Sequence, residues 1–223
     1  PDAPKRPASE SRDDVAHWYA RRHLYGDPTL REVWYLPSHA PDDEIRLLEV
    51  NALRDWPAAQ SIHHAYRGGF LEHIVKMADV GTTTARAYGA NADLVLAGVI
   101  LHDIGKLQEL AYDAGSASYT RDGNLLGHIA LGLILVREAT TAIAGFPVEL
   151  RSHLAHLVFS HHGSREHGSP TEPKTLEAFI LATVDELDAK IHQVRRALRE
   201  DAGDGEFTAW HKRLGRVLYK GPN

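Results

Sequence analysis

The chain contains no cysteine, which excludes disulfides and thiolate metal sites, so any metal centre must be built from nitrogen and oxygen donors. The same absence is compatible with a reducing compartment, and a cytoplasmic location is the expectation. Methionine is nearly missing too: the single one is Met77, and the first residue is Pro1. The native start is therefore expected to lie outside this sequence. No apolar run approaches the ~18 residues of a membrane span and no signal-peptide pattern opens the chain, so no membrane partner is expected. Nor is there an excess of basic charge. Lys and Arg number 25 against 30 Asp and Glu, a formal net charge of −5, so no global field draws the protein to a polyanion and any such grip must be local.

What the chain does have is histidine, 15 in 223 residues, on a background that is 43% hydrophobic and 25% charged. That length and composition suit one medium domain with a sizeable core. Residues 1–11 are polar and Pro-rich and read as a disordered linker. Residues 12–56 read as a helical lead-in, with Val15, Trp18 and Tyr19, then Leu30, Val33 and Trp34, then Ile45, Leu48 and Leu53 at helical spacing. The core is expected over 57–200. Its helices are read at Phe70 to Tyr88, Asn91 to Ile104, Leu125 to Ala144, Pro147 to Ser160 and Thr175 to Leu198, with Gly and Pro at their ends. The rhythm breaks at Tyr112 to Asn124, where Arg121-Asp122-Gly123-Asn124 is a turn signal, so a short β-hairpin or loop excursion is expected there. Residues 201–223 are expected to end in an amphipathic helix at Phe207 to Tyr219. The fold class is all-α, a helical bundle with that one excursion.

The segment Ile100-Leu101-His102-Asp103-Ile104-Gly105-Lys106 carries the chemistry. It closes an apolar helical run with an imidazole and a carboxylate from adjacent positions. His73 precedes it, and His128, His161 and Asp185 follow, each beside apolar helical residues. Buried ionisable groups are costly unless paired or metal-bound, so a converging set of them points to a cation. His73, His102, Asp103 and Asp185 suffice for one ion. His128 and His161 are surplus unless a second is present, with Asp103 shared between the two. Such a donor set suits Mn first, with Fe, Co, Zn or Mg as alternatives, and Ca least. Two bridged ions would make hydroxide available for attack on a phosphate ester, with Asp103 at the centre and Lys106 placing positive charge near the phosphoryl oxygens. Taken singly, each of these residues also reads as a cap, a satisfied core histidine or a surface group.

The ordered series resembles the HD-domain metallohydrolase superfamily, and more narrowly it is similar to the YhaM-type 3′→5′ exoribonucleases. The likeness runs from Pro57 to Lys190. It is carried by residues 61–73 (SIHHAYRGGFLEH), 101–106 (LHDIGK), 126–132 (LGHIALG), 160–163 (SHHG) and 184–190 (VDELDAK). The resemblance implies an HD-domain helical bundle, two divalent ions and hydrolysis of phosphodiesters in single-stranded RNA or DNA. It also implies that His63, His64 and Arg67 line the substrate phosphate path, and it leaves a homo-oligomer open; His162, beside His161, is read as substrate-binding, with ligation of or a hydrogen bond to the second ion as its alternative. Enzymes of that type also carry an N-terminal OB-fold, and nothing in this sequence reads as one. Rival readings are a hydrolase of nucleotides or cyclic dinucleotides, a di-iron oxygenase of the myo-inositol oxygenase kind, and a non-catalytic RNA-binding module. Glu72 and Asp188 read equally well as carboxylates that orient ligand imidazoles and as helix-surface groups. Arg195, Arg196, Arg199, Lys212, Arg213, Arg216 and Lys220 make the C-terminal quarter locally basic. Such a patch could track a nucleic-acid backbone, but interrupted by Glu200, Asp201, Asp204 and Glu206 the stretch reads first as an ordinary solvated helix face.

Overall fold

The computed structural model describes residues 69–113 and 116–221. The readings of 1–11 and 12–56, and His63, His64 and Arg67, lie outside the described residues. Helix α1, Gly69–Ala87, buries Phe70, His73, Ile74, Met77, Ala78 and Ala85, a stripe with the three-to-four spacing of one helical face. Helix α2, Ala92–Leu101, starts where the Asn91 side chain accepts a hydrogen bond from the Leu94 N–H at 3.0 Å. It is apolar nearly all round because it is the central helix, packed on α1 and on two later helices. It ends at Leu101, and His102 to Gly105 continue as turns rather than helix. The reason is contact: a Cβ at Gly105 would overlap the His128 carbonyl, so only glycine lets this turn press against the helix that carries His128.

Helix α3, Lys106–Glu109, is a single turn that leads into strand β1, Leu110–Asp113, and strand β2, Ser116–Tyr119. The two pair antiparallel, from Leu110 opposite Tyr119 to Asp113 opposite Ser116. The hairpin therefore sits a few residues earlier than expected. Arg121-Asp122-Gly123-Asn124 is the first turn of helix α4, Arg121–Ala142, and not a loop. Thr120 decides this, because its hydroxyl caps the helix by accepting from the Gly123 N–H at 2.8 Å. Helix α4 is interrupted at Gly127 (φ 72°, ψ 161°) and restarts at His128. By length and composition alone it could also cross a membrane, which revises the expectation of no such run. Here it packs against α3 and against helix α5, Val148–Ser160.

A short 3₁₀ turn, Arg165–His167, precedes helix α6, Leu176–Glu200, whose cap is the Thr175 hydroxyl on the Ala178 N–H. Helix α6 packs on α1, α2 and α5. Phe70, Ile74, Met77, Val95, Leu154, Leu157 and Leu181 are fully buried at the common centre, each worth ~1.5–3 kcal/mol relative to exposure. The all-α reading with one small two-stranded excursion describes these residues.

The expected C-terminal helix is not formed. Beyond Asp201 the chain folds back on itself, with Phe207 bridged to Tyr219 and His211 to Arg216. Gly203, Gly205 and Gly215 are poor helix residues. The Asp201 carboxylate meanwhile takes the Ala209 N–H at 2.9 Å and the Lys220 ammonium at 2.6 Å, and the Thr208 hydroxyl takes the Leu218 N–H at 3.0 Å. These side-chain bonds to backbone groups outcompete helical ones.

Candidate metal centre

Five elements deliver the donors. His73 comes from the first turns of α1, and His102 and Asp103 from the turn that ends α2. His128 comes from the restart of α4, His161 and His162 from the end of α5, and Asp185 from the middle of α6. His73, His102 and His161 are completely buried and Asp103 nearly so. Nε2 of His73 stands 3.3 Å from Asp185 Oδ1, and Nε2 of His102 stands 3.3 Å from Asp103 Oδ2. The other Asp103 oxygen, Oδ1, lies 3.4 Å from His128 Nε2 and 3.6 Å from His161 Nε2. Donors on a common ion with bonds of ~2.0–2.2 Å stand roughly 3–3.5 Å apart, so these spacings fit ligation. Two groups result. His73, His102 and Asp103 converge on one side, and His128, His161 and His162 on the other, donor atoms within 4.8 Å of one another in each. Asp103 faces both.

The rings share one orientation, for a local reason. Nδ1 of His102 donates to the Val99 carbonyl at 2.8 Å, that of His161 to the Val158 carbonyl at 2.7 Å, and that of His162 to the His167 carbonyl at 2.9 Å. A carbonyl only accepts, so in the neutral rings the proton sits on Nδ1 and the Nε2 lone pair faces inward. His73 makes the same bond to Asp188 Oδ2 at 2.7 Å, and His128 to Glu109 Oε1 at 3.2 Å. Inward, Nε2 of His102, His128 and His161 and Oδ1 of Asp103 are buried without a hydrogen-bond partner among the described residues. Four orphaned acceptors at one point are what a divalent cation would satisfy.

The electrostatics agree. Burial alone would lower the His73 pKa, but hydrogen bonds and charge from Asp185 and Asp188, with Asp103 beyond, raise it to about 9. Burial alone would raise both aspartates. Lys106 and His102 instead hold Asp103 well below the ordinary carboxylate range, and the His73 hydrogen bond with the charge of His102 does the same for Asp185. Burial lowers His161, only partly offset by Asp103, and burial with the neighbouring His161 lowers His162 to about 4. At neutral pH the site therefore offers anionic carboxylates and neutral rings at His161 and His162, while His73 must lose a proton before it can ligate. Lys106 Nζ sits 2.5 Å from Asp103 Oδ2 and is itself buried, so its charge balances the shared carboxylate.

His73, His102, Asp103, His128, His161, Asp185 and Lys106 are thus brought together. His162, read as substrate-binding with ligation of the second ion as its alternative, stands in the second histidine group. Asp188 orients His73, whereas Glu72 pairs with Lys76 on the exposed side of α1. Glu109 is the residue that sequence reasoning missed. Buried at the end of α3, its Oε1 accepts from both the backbone N–H and the ring of His128. Its pKa would rise on burial but is lowered by these bonds and by the His128 charge. No spacing rule pointed to it; a carboxylate placed directly before a strand was the one local sign.

Residues 70–190 match the family model described as HD domain. Among curated proteins, the 3′-5′ exoribonuclease YhaM of Bacillus subtilis is 43% identical over 157 residues, covering 69% of this chain and 48% of the relative. The protein of the same name from Geobacillus sp. is 44% identical over 155 residues, covering 69% and 47%. The chain spans about half the length of the curated relatives it matches. No solved structure is a significant match. With its matched span running from α1 through the aspartate-bearing part of α6, the chain belongs to the HD domain family.

Proposed function

We propose that this chain is a divalent-metal phosphodiesterase that removes nucleotides from the 3′ end of single-stranded RNA or DNA. The observation that carries the reading is Asp103, a buried carboxylate whose two oxygens face separate histidine groups. His73, His102, Asp103 and Asp185 would hold one ion, and Asp103, His128, His161 and His162 the other, with Mn the first choice for nitrogen-rich sites that also contain carboxylates. Ions held there supply Lewis acidity and lower the pKa of a coordinated water, so that hydroxide is available at neutral pH. The residues do the rest. The Nδ1 bonds of the five histidines hold their Nε2 atoms inward. Lys106 keeps a buried ammonium on Asp103, where it neutralises the carboxylate and stabilises charge gathering on phosphoryl oxygens. RNA as substrate is favoured by the relatives, both named as 3′-5′ exoribonucleases.

The test is Mn-reconstituted protein with 5′-labelled single-stranded RNA, with Asp103→Ala beside it and products resolved by length. A ladder shortening from the 3′ end, absent in the variant, is the expected result. Metal uptake with no ladder, together with turnover of mononucleotides or cyclic dinucleotides, would replace the polymer by a small substrate. Iron retention with oxygen consumption would replace hydrolysis altogether.

A further inference from the structure

A cleft of about 370 Å³ lies between the last turns of α6 and the folded-back C-terminal segment, and none of the candidate metal donors lines it. Gln193 and Arg196 line one side, and Thr208, Trp210, His211 and Arg213 the other. The C-terminal wall is pinned in place. Asp201 holds both Ala209 and Lys220, and backbone bonds join Thr208 to Leu218 and His211 to Arg216. On this wall Trp210 is 66% exposed; Phe207 and Tyr219, in the same segment but outside the lining of the cleft, are also half exposed, with ring centroids 5.4 Å apart. Leaving an indole in water forgoes one of the largest burial gains any side chain offers, so its position asks for an occupant.

Charge decides which kind. Residues 193–221 hold seven Lys and Arg against four Asp and Glu, in a chain whose net charge is −5. Two of the four acids, Glu200 and Asp201, also line the cleft and are paired there, Glu200 with Arg196 at 2.9 Å and Asp201 with Lys220 at 2.6 Å. Lys212, Arg213 and Arg216 have no ion-pair partner among the described residues. Exposed aromatic rings interleaved with uncompensated cations are the surface that binds single-stranded nucleic acid, bases stacking on the rings and phosphates meeting the cations. An apolar or acidic ligand would use one half of that surface and be opposed by the other.

We propose that this cleft is a docking site for single-stranded nucleic acid, with Trp210 stacking a base and Arg213 contacting the adjoining phosphate. The site rests on reading the chain as a nuclease and adds to it a grip on the strand that lies outside the metal centre. It would let a long substrate be held while its end is processed, and a substrate of one or two nucleotides would gain nothing from it.

The test compares wild type, Trp210→Ala, Trp210→Phe and Arg213→Glu, all Mn-loaded full chains, on oligouridylate 12-mer and on bis(4-nitrophenyl) phosphate. Quenching of tryptophan fluorescence by the 12-mer is followed in parallel. Trp210→Ala should raise the KM for the 12-mer about tenfold or more and lose the quenching. Trp210→Phe should restore most of the affinity. Arg213→Glu should weaken binding and flatten its salt dependence. Turnover of the small ester should stay the same in all four, which a merely structural role would not allow. Equal KM values and quenching for wild type and Trp210→Ala on the 12-mer would overturn the docking site and leave the nuclease reading intact. Quenching that depends on Trp210 without any cleavage of the 12-mer would support the docking site and sink the nuclease reading. No binding of the 12-mer by wild type would overturn the docking site.

Discussion

One oxygen of Glu109 holds both ends of His128, accepting its backbone N–H at 2.9 Å and its ring Nδ1 at 3.2 Å. Since α4 breaks at Gly127 and restarts at His128, the carboxylate acts as an external cap for the restarted helix and sets its first ring. Glu109 itself is held tightly. The Thr120 N–H bonds its carbonyl at 2.9 Å, and the α carbon of Gly123 packs so closely there that a Cβ would overlap the same oxygen.

Glu109→Gln should therefore act on one ion more than on the other. The amide still accepts from the backbone, but it loses the charge that makes His128 a stronger donor. Carboxylates behind ligand histidines contribute ~10–100-fold in metal affinity, and that loss is expected for the second ion alone. Metal content and Mn titration would show it, as one ion retained at a concentration that loads two on wild type. Two ions bound with unchanged affinity would mean that Glu109 is only structural.

Metal uptake should depend on pH through His73. The ring must shed its proton to bind, and its pKa is raised to about 9, so binding releases close to one proton from this group below that pH. Affinity then climbs about tenfold per pH unit from roughly pH 7 toward 9 and levels above it. In the metal-free protein the sign is opposite. The protonated His73 with Asp185 and Asp188 stabilises the fold fully below pH ~6.5, and that contribution is lost as pH rises through 9. The gap in melting temperature between loaded and metal-free protein should widen from pH 7 to 9. A constant gap would contradict a protonated His73.

Chelation should lower stability by an amount set by mass action. Removing ions present at a hundred times their dissociation constant costs ~2.7 kcal/mol per site. It also leaves buried polar atoms of His102, His128, His161 and Asp103 facing one another without a hydrogen-bond partner among the described residues. Differential scanning calorimetry with and without chelator reads this directly, and identical melts would argue against a resident metal.

Gly105→Ala should damage the fold itself. The added methyl would overlap the backbone of His128 and Gly132, and backbone cannot move aside as a side-chain tip can. Overpacking in a tight core costs ~1–3 kcal/mol, and the upper end is expected here. Metal affinity should fall along with stability in denaturant titrations. Gly89→Ala is the control: its φ of 70° makes it strained, but a Cβ there meets nothing, so it should cost less and leave metal binding alone.

Much of this was legible along the chain because it is local. Apolar spacing placed α1, α2, α5 and α6 to within a few residues. The residue types at His73, His102, Asp103, His128, His161 and Asp185 defined nitrogen and oxygen donors for a cation. Local rules misled at Arg121 to Asn124 and at Phe207 to Tyr219. In the first case the Thr120 hydroxyl turned a loop signal into a helix start; in the second, Asp201 and Thr208 recruited distant backbone groups.

The amino-acid sequence by itself determined which donors exist and in what order, and which segments become helices, because residue chemistry and periodicity are properties of neighbours. Only the tertiary structure decided where the donors point and which act together. Asp188 lies 115 positions from the His73 ring it orients, and Glu109 lies 19 from His128. The two faces of Asp103 have meaning only once α1, α2, α4 and α5 have closed around it. An imidazole's orientation is set by the partner of its other nitrogen, and packing selects that partner across the whole chain.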